Sequence, residues 1–152
     1  MRTIHRDIVG AFIFSADDKL LLGKNTKGGV YQGAYLVPGG GVEPEDDGAL
    51  VKAVCREVME EVNLDVTDAQ IEQFEKVITG QSEKTLRETG ERVIVDMNFY
   101  DFRIVINALA AEITARRSDE FDDIRWVPTA ELASIVLSPG VQERLSNEGI
   151  LT

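Results

Sequence analysis

The sequence predicts a mixed α/β fold in which a mixed β-sheet is covered by helices on both sides. Three features carry that reading: β-branched and aromatic runs in the first third, one strongly periodic helix after them, and further strands followed by terminal helices. Asp7 to Phe14 is rich in Ile, Val and Phe, turns at Ala16-Asp17-Asp18, and is followed by Lys19 to Gly23 with three leucines. This is the pattern of a hairpin-like strand pair. After a stretch containing Gly28, Gly29 and Gly33, residues Ala34 to Val37 read as a short strand, halted by Pro38-Gly39-Gly40-Gly41, where a loop of special backbone geometry is expected.

From Asp47 to Val62 the apolar residues Leu50, Val54, Val58 and Val62 recur every four positions, which predicts an amphipathic helix. Asn63 should end it, because Asn tolerates the left-handed conformation of helix termini. Asp46 and Asp47 are expected at its start, where acceptors suit the exposed amides. Gln70 to Thr79 and Arg92 to Ile106 read as strands separated by a polar loop, Gly80 to Gly90. Ile124 to Val127 is a further short strand, Pro128 to Leu132 starts a helical turn, and a helix around Val141 to Ser146 closes the chain. No repeat or Pro-rich linker interrupts the 152 residues, so one domain, 1–152, is expected.

With 43% hydrophobic and 28% charged residues the chain can bury a core and carries too much charge for a membrane span. A cleaved leader is not indicated, since Arg2, Arg6 and Asp7 interrupt the N-terminal apolar run. The lone Cys55 excludes an internal disulfide and a Cys-based zinc cluster, so a reducing, cytoplasmic location is expected. A net charge of −11 repels nucleic-acid polymers. The acids are also concentrated, with seven against two bases over residues 43–61. A divalent cation would account for such a stretch.

Within it, Glu57, Glu60 and Glu61 are related by three and four positions, so their carboxylates project from one helix face and can converge on a point. Like charges so spaced destabilise a helix by roughly 0.2 to 0.5 kcal/mol per pair, and hard oxygen ligands suit Mg²⁺ or Mn²⁺. Arg56 can reach Glu60 or the preceding loop and orient a carboxylate. A solvated charged face would carry the same acids, and the helix alone does not separate the two.

The preceding loop separates them. Gly40, five residues, Asp46, nine residues, then Arg56-Glu57-Val58-Met59-Glu60-Glu61-Val62-Asn63-Leu64 resembles the signature box of the Nudix hydrolases. That box reads Gly, five residues, Glu, seven residues, then Arg-Glu-aliphatic-x-Glu-Glu-x-Gly-aliphatic. Asp46 stands for the family's Glu, the loop to Arg56 is two residues longer, and Asn63 replaces Gly. Asp46, Asp47, Glu45 and Glu43 are all candidates for the supporting acid. The resemblance implies a Nudix-type α/β/α sandwich and metal-dependent hydrolysis of a nucleoside diphosphate linked to another group, a nucleoside triphosphate first. It implies Glu57, Glu60 and Glu61 as metal ligands, Arg56 as their orienting partner, and the Gly40 carbonyl as a further ligand. Metal also reconciles an acidic protein with a polyanionic substrate.

Ser118 to Asp123 forms a second acidic cluster before Ile124-Arg125-Trp126-Val127. In many Nudix proteins such a loop supplies an acid to the metal site or contacts the base, and Glu120 is the candidate; a solvated loop is the plain alternative. Trp126 reads as core, while Tyr31, Tyr35, Phe99 and Tyr100 are alternatives for stacking on a base. Gly33 to Gly40 and Asp122 to Trp126 resemble GDP-mannose mannosyl hydrolases, but that branch lacks one box Glu and this chain has all three. A nucleotide-sugar hydrolase and a non-catalytic regulatory domain are therefore the alternatives. Nucleotide or nucleotide-sugar is the expected partner, with the oligomeric state, a homodimer included, left open. Gly23-Lys24-Asn25-Thr26 lacks the glycine and hydroxyl spacing of a phosphate-binding P-loop. His5 and Cys55 have no partner motif and read as structural.

Overall fold

The computed structural model describes residues 1–25 and 33–151. Eight strands form one sheet: β1 (Arg2–Phe14), β2 (Lys19–Asn25), β3 (Tyr35–Leu36), β4 (Gly39–Gly41), β5 (Gln70–Gln73), β6 (Ile78–Thr85), β7 (Arg92–Val105) and β8 (Phe121–Pro128). Helix α1 spans Leu50–Val62 and α2 spans Pro139–Asn147. The central pair, β1 and β7, runs parallel from Arg2 opposite Val93 to Phe14 opposite Val105, and the other pairings are antiparallel. The sheet is therefore mixed.

Alternation along β1 explains the layers. Val9, Ala11 and Ile13 pack with Ala53, Val54, Val58 and Val62 of α1. Phe12 and Phe14, one position out of phase, pack with Leu132 and with Val141 and Leu145 of α2. A strand buried on both faces needs a continuous apolar run, which is what Val9 to Phe14 supplies. The two helices thus cover opposite faces, as an α/β/α sandwich requires. No helix among the described residues is long and apolar enough to cross a membrane.

Asn63 ends α1 in the left-handed conformation at φ 56°, ψ 41°, its N–H donating to the Met59 carbonyl at 3.1 Å. The start of α1 differs from the expected one. Pro44–Asp46 forms a 3₁₀ turn, Asp47 (φ 53°) and Gly48 (φ 74°) both turn left-handed, and the helix begins only at Leu50. Asp46 does not cap it, because its carboxylate is engaged elsewhere.

Two loops were expected where strands stand. Pro38–Gly41 contributes β4, paired with Ile8–Gly10, and none of its glycines has positive φ. They are small for the sake of contacts, not of backbone freedom. The expected strand 70–79 divides into β5 and β6 around the buried Phe74, and β6 continues through the expected loop to Thr85. Its residues are mostly exposed, so its polar composition reflects a solvated ribbon, and only Leu86 to Glu91 turn.

Candidate active site

Arg56 organises the acidic face of α1. Its Nε donates to Asp46 Oδ1 at 3.0 Å and its Nη2 to Asp46 Oδ2 at 2.9 Å and to the Gly41 carbonyl at 3.0 Å. Its Nη1 donates to Glu57 Oε1 at 3.0 Å and Glu60 Oε1 at 3.2 Å. The fork with Asp46 is the bidentate geometry that suits a planar guanidinium. Of the four candidate acids of the long loop, Asp46 is the one that grips Arg56 on both oxygens, while Glu45 lies 3.6 Å from Nε and Asp47 pairs at the surface with Lys52. Asp46 is 1% exposed. The Arg56 guanidinium and the Glu43 N–H, which donates to Oδ2 at 2.8 Å, hold its carboxyl below the usual range.

The three helix acids differ in surroundings. Glu57 and Glu61 are buried on the sheet side of α1 and Glu60 is exposed. Burial pushes Glu57 up against the opposing pull of Arg56. Burial likewise raises Glu61 to about 8, offset in part by the Gly39 N–H that donates to its Oε2 at 2.8 Å, and reinforced by the charges of Glu57, Glu120 and Glu60. The expected convergence on one point is not present: among the described residues no three His, Cys, Asp or Glu side chains gather closely enough to enclose an ion. Arg56 holds Glu57 and Glu60 while Gly39 holds Glu61. The donor set itself, hard carboxylate oxygens with two of them buried beside a single guanidinium, fits a hard divalent cation.

The glycine strand explains how the acids approach the sheet. A Cβ on Gly40 would lie 2.5 Å from Glu57 Oε1, so only glycine leaves room for that carboxylate. Gly40, expected to offer its carbonyl as a ligand, belongs to the ladder with β1. Ala11 N bonds the Pro38 carbonyl and Val42 N the Asp7 carbonyl, with Val9 opposite Gly40. Alternation of the antiparallel ladder therefore turns the backbone of Gly40 toward β1. Gly39 and Gly41 face the outer edge, where Gly39 meets Glu61 and Gly41 meets Arg56.

Glu120 is exposed in the turn before β8, and its charge bears on Glu61. Its loop is tied to the end of α1 by Ser118 N on the Glu61 carbonyl at 3.0 Å. Trp126 is half-buried against the core, as expected. Tyr35 lies under the Arg125 guanidinium and Tyr100 packs on the core, whereas Tyr31 lies outside the described residues. Phe99 lines a cavity of about 230 Å³ that Gly39 and Gly40 also border.

Three charged residues of this region were not singled out in the sequence. Arg6 lays its guanidinium across Gly41, where a Cβ would meet Nη2 at 2.7 Å. Asp101 and Arg144 form a buried ion pair, Oδ2 to Nε at 2.7 Å. The signal for Asp101 was present, since an acid inside the apolar run Phe99-Tyr100-Asp101-Phe102 is costly to bury without a partner.

The NUDIX domain family model matches residues 4–146. Nucleoside triphosphatase NudI of Klebsiella pneumoniae (strain 342) is 26% identical over 146 residues, which cover 96% of this chain and 98% of that protein. The NUDIX domain of Shewanella oneidensis NrtR, solved with ADP ribose, has a similar fold, with a TM-score of 0.67 at 17% identity over 96% of this chain and 87% of that one. The E. coli dihydroneopterin triphosphate pyrophosphohydrolase has a TM-score of 0.66 at 18% identity, covering 94% of this chain and 92% of its own. Together with an acidic helix clamped by Arg56 onto a glycine strand, these similarities establish that the chain belongs to the NUDIX domain family of nucleotide pyrophosphate hydrolases.

Proposed function

We propose that the protein is a divalent-metal-dependent nucleoside triphosphate pyrophosphohydrolase working from the acidic face of α1. The observation that carries this reading is the pair Glu57 and Glu60 on one fully engaged guanidinium, with Glu61 beside them on the Gly39 N–H. An acidic cluster with two of its three carboxylates buried has too little positive charge of its own. Glu57, Glu60 and Glu61 would hold Mg²⁺ or Mn²⁺, joined by the carbonyl of Gly39 in place of Gly40, since Gly39 presents its backbone at the open edge of β4 beside Glu61. Glu120 adds a further acid from the facing loop. When bound, the ion neutralises phosphate charge and lowers the pKa of water.

The chain's own residues supply the framework. Arg56 fixes the rotamers of Glu57 and Glu60 and is itself fixed by Asp46, so the ligands are oriented before substrate arrives. A carboxylate of Glu57 or Glu61 would take the proton of the attacking water. One bond forms from the water oxygen to phosphorus, the bridging P–O bond breaks, and nucleoside monophosphate and pyrophosphate leave. The kinship with a nucleoside triphosphatase supports a triphosphate substrate.

The test is a screen of nucleoside triphosphates, nucleotide sugars and ADP-ribose with and without millimolar Mg²⁺, reading pyrophosphate, phosphate and sugar. Triphosphates should yield pyrophosphate only with metal, and Glu57→Gln should lower kcat by orders of magnitude while the thermal melt persists. Near wild-type turnover of Glu57→Gln at saturating Mg²⁺ would overturn the assignment.

A further inference from the structure

The cavity of about 230 Å³ lies on the α2 face of the sheet and borders Gly39 and Gly40 from the side opposite the acidic helix. Substrate engaged by that helix can therefore pass over the open edge of β4 and place its other end in the cavity. Ile8, Val37 and Phe99 give it apolar walls suited to the faces of a flat ring. Ser138 also borders it, but its Oγ is engaged by the N–H of Val141 at the start of α2. The charged lining consists of Asp101 and Arg144.

These two are arranged as an acceptor beside a donor. Asp101 is 3% exposed, and its Oδ2 accepts from Arg144 Nε at 2.7 Å. Its Oδ1 points at Gly10, where a side chain would collide with it, and has no hydrogen-bond partner among the described residues. No buried side-chain oxygen or nitrogen among them is both unbonded and sealed from solvent, so Oδ1 opens onto the cavity. The Arg144 guanidinium lies 4.8 Å over the Phe99 ring, which fixes its plane. Its Nη groups have no acceptor among the described residues, leaving donors next to the Asp101 acceptor.

We propose that Asp101 and Arg144 read the nucleobase of the substrate and select an edge that carries a ring N–H beside a carbonyl, as in uracil, thymine and guanine, over the amino-bearing edges of cytosine and adenine. This inference rests on the nucleoside triphosphate reading above. A carboxylate binds most strongly to the more acidic donor, and an N–H flanked by a carbonyl is far more acidic than an exocyclic amine. The guanidinium, with donors only, matches the neighbouring carbonyl. A base presenting its amino group to Asp101 keeps a hydrogen bond but loses much of its strength.

UTP and CTP differ only at this edge, so the experiment compares their kcat/KM on the wild type and on Asp101→Asn. The affinities of their non-hydrolysable α,β-methylene analogues are measured in parallel by calorimetry with Mg²⁺. UTP should be preferred by about tenfold or more in both measurements, and the ratio should fall to within about threefold in Asp101→Asn, whose amide both donates and accepts. Equal kcat/KM and equal affinities in the wild type would overturn the inference, as would an unchanged ratio in a folded Asp101→Asn. If Asp101→Asn melts early, the wild-type ratios decide alone. If neither triphosphate is hydrolysed, the proposed function fails, and the analogue affinities still decide base reading.

Discussion

Asp46 and Arg56 are joined by two hydrogen bonds, Nε to Oδ1 at 3.0 Å and Nη2 to Oδ2 at 2.9 Å, with the acid fully buried and the guanidinium mostly so. This pair links the 3₁₀ turn to α1, and through Gly41 it links both to the edge of the sheet. The two extra residues of the loop are absorbed in the left-handed step at Asp47 and Gly48. Without Asp46, Arg56 could swing toward Glu57 and Glu60 and neutralise the acids it now orients.

Asp46→Ala should therefore lower kcat and Mg²⁺ affinity together, each by roughly ten- to a hundredfold, as the loss of an outer partner of metal ligands does. Asp47→Asn, which keeps a side chain that tolerates the left-handed turn, removes only the exposed charge paired with Lys52 and should leave both unchanged. Steady-state kinetics and Mg²⁺ titrations on the two variants check this. Unaltered metal affinity in Asp46→Ala would detach the clamp from the mechanism.

Mg²⁺ should stabilise the fold, because an ion held by carboxylates that only the folded chain brings side by side binds the native state and not the unfolded one. At a concentration ten times Kd the gain is about 1.4 kcal/mol, or about 3 to 6 °C in Tm for a domain of this size. Thermal melts across a Mg²⁺ series should show the rise in the wild type and a smaller one in Glu61→Gln. A Tm insensitive to millimolar Mg²⁺ would count against a site on these residues.

The parts legible in the sequence were those where one periodic pattern or one residue type decides the outcome. Helix α1 follows from Leu50, Val54, Val58 and Val62, and its end from Asn63, because both depend on local geometry alone. Its start was misread because Asp46 looks like a cap and is drawn instead to Arg56, ten residues away, which no local rule registers. Ribbon β6 was hidden because both its faces meet water, so no apolar alternation marks it. Gly39–Gly41 read as a loop since glycine usually signals backbone freedom. Here the glycines keep side chains away from Glu57 and Arg6. Asp101 and Arg144, 43 residues apart, meet only through packing of α2 on the sheet.

Stability at low pH should depend on Asp17. The Ser15 hydroxyl and the Ala110 N–H, the latter at 2.9 Å from Oδ1, hold its pKa at about 2, down from 3.8. A depressed carboxyl binds fewer protons in the native than in the unfolded state. Its contribution is therefore complete above the unfolded value and is lost as pH falls toward about 2. Asp17→Asn should melt below the wild type at pH 6, and the gap in Tm should close between pH 4 and pH 2. A gap independent of pH would show that the charge is not what anchors this turn.

Arg6 should act on substrate binding and not on the chemical step. Every N–H group of Arg56 that faces the site is committed to Asp46, Glu57, Glu60 or Gly41, so Arg56 has little left to offer a phosphate. Arg6 lies across Gly41 on an exposed part of β1, and among the described residues no carboxylate stands within ion-pair distance of it. It shares its face of the sheet with Ile8, which lines the cavity, so its charge lies on the face where the ring end of a nucleotide is proposed to bind. A contact made equally in ground and transition states changes KM and leaves kcat alone. Arg6→Ala should raise KM for a triphosphate several-fold, about 1 kcal/mol for an exposed charge-assisted contact, with kcat within about twofold of the wild type. Added salt should narrow the difference by screening. A fall in kcat at unchanged KM would place Arg6 on the reacting phosphate, and no effect on either constant would remove it from the site.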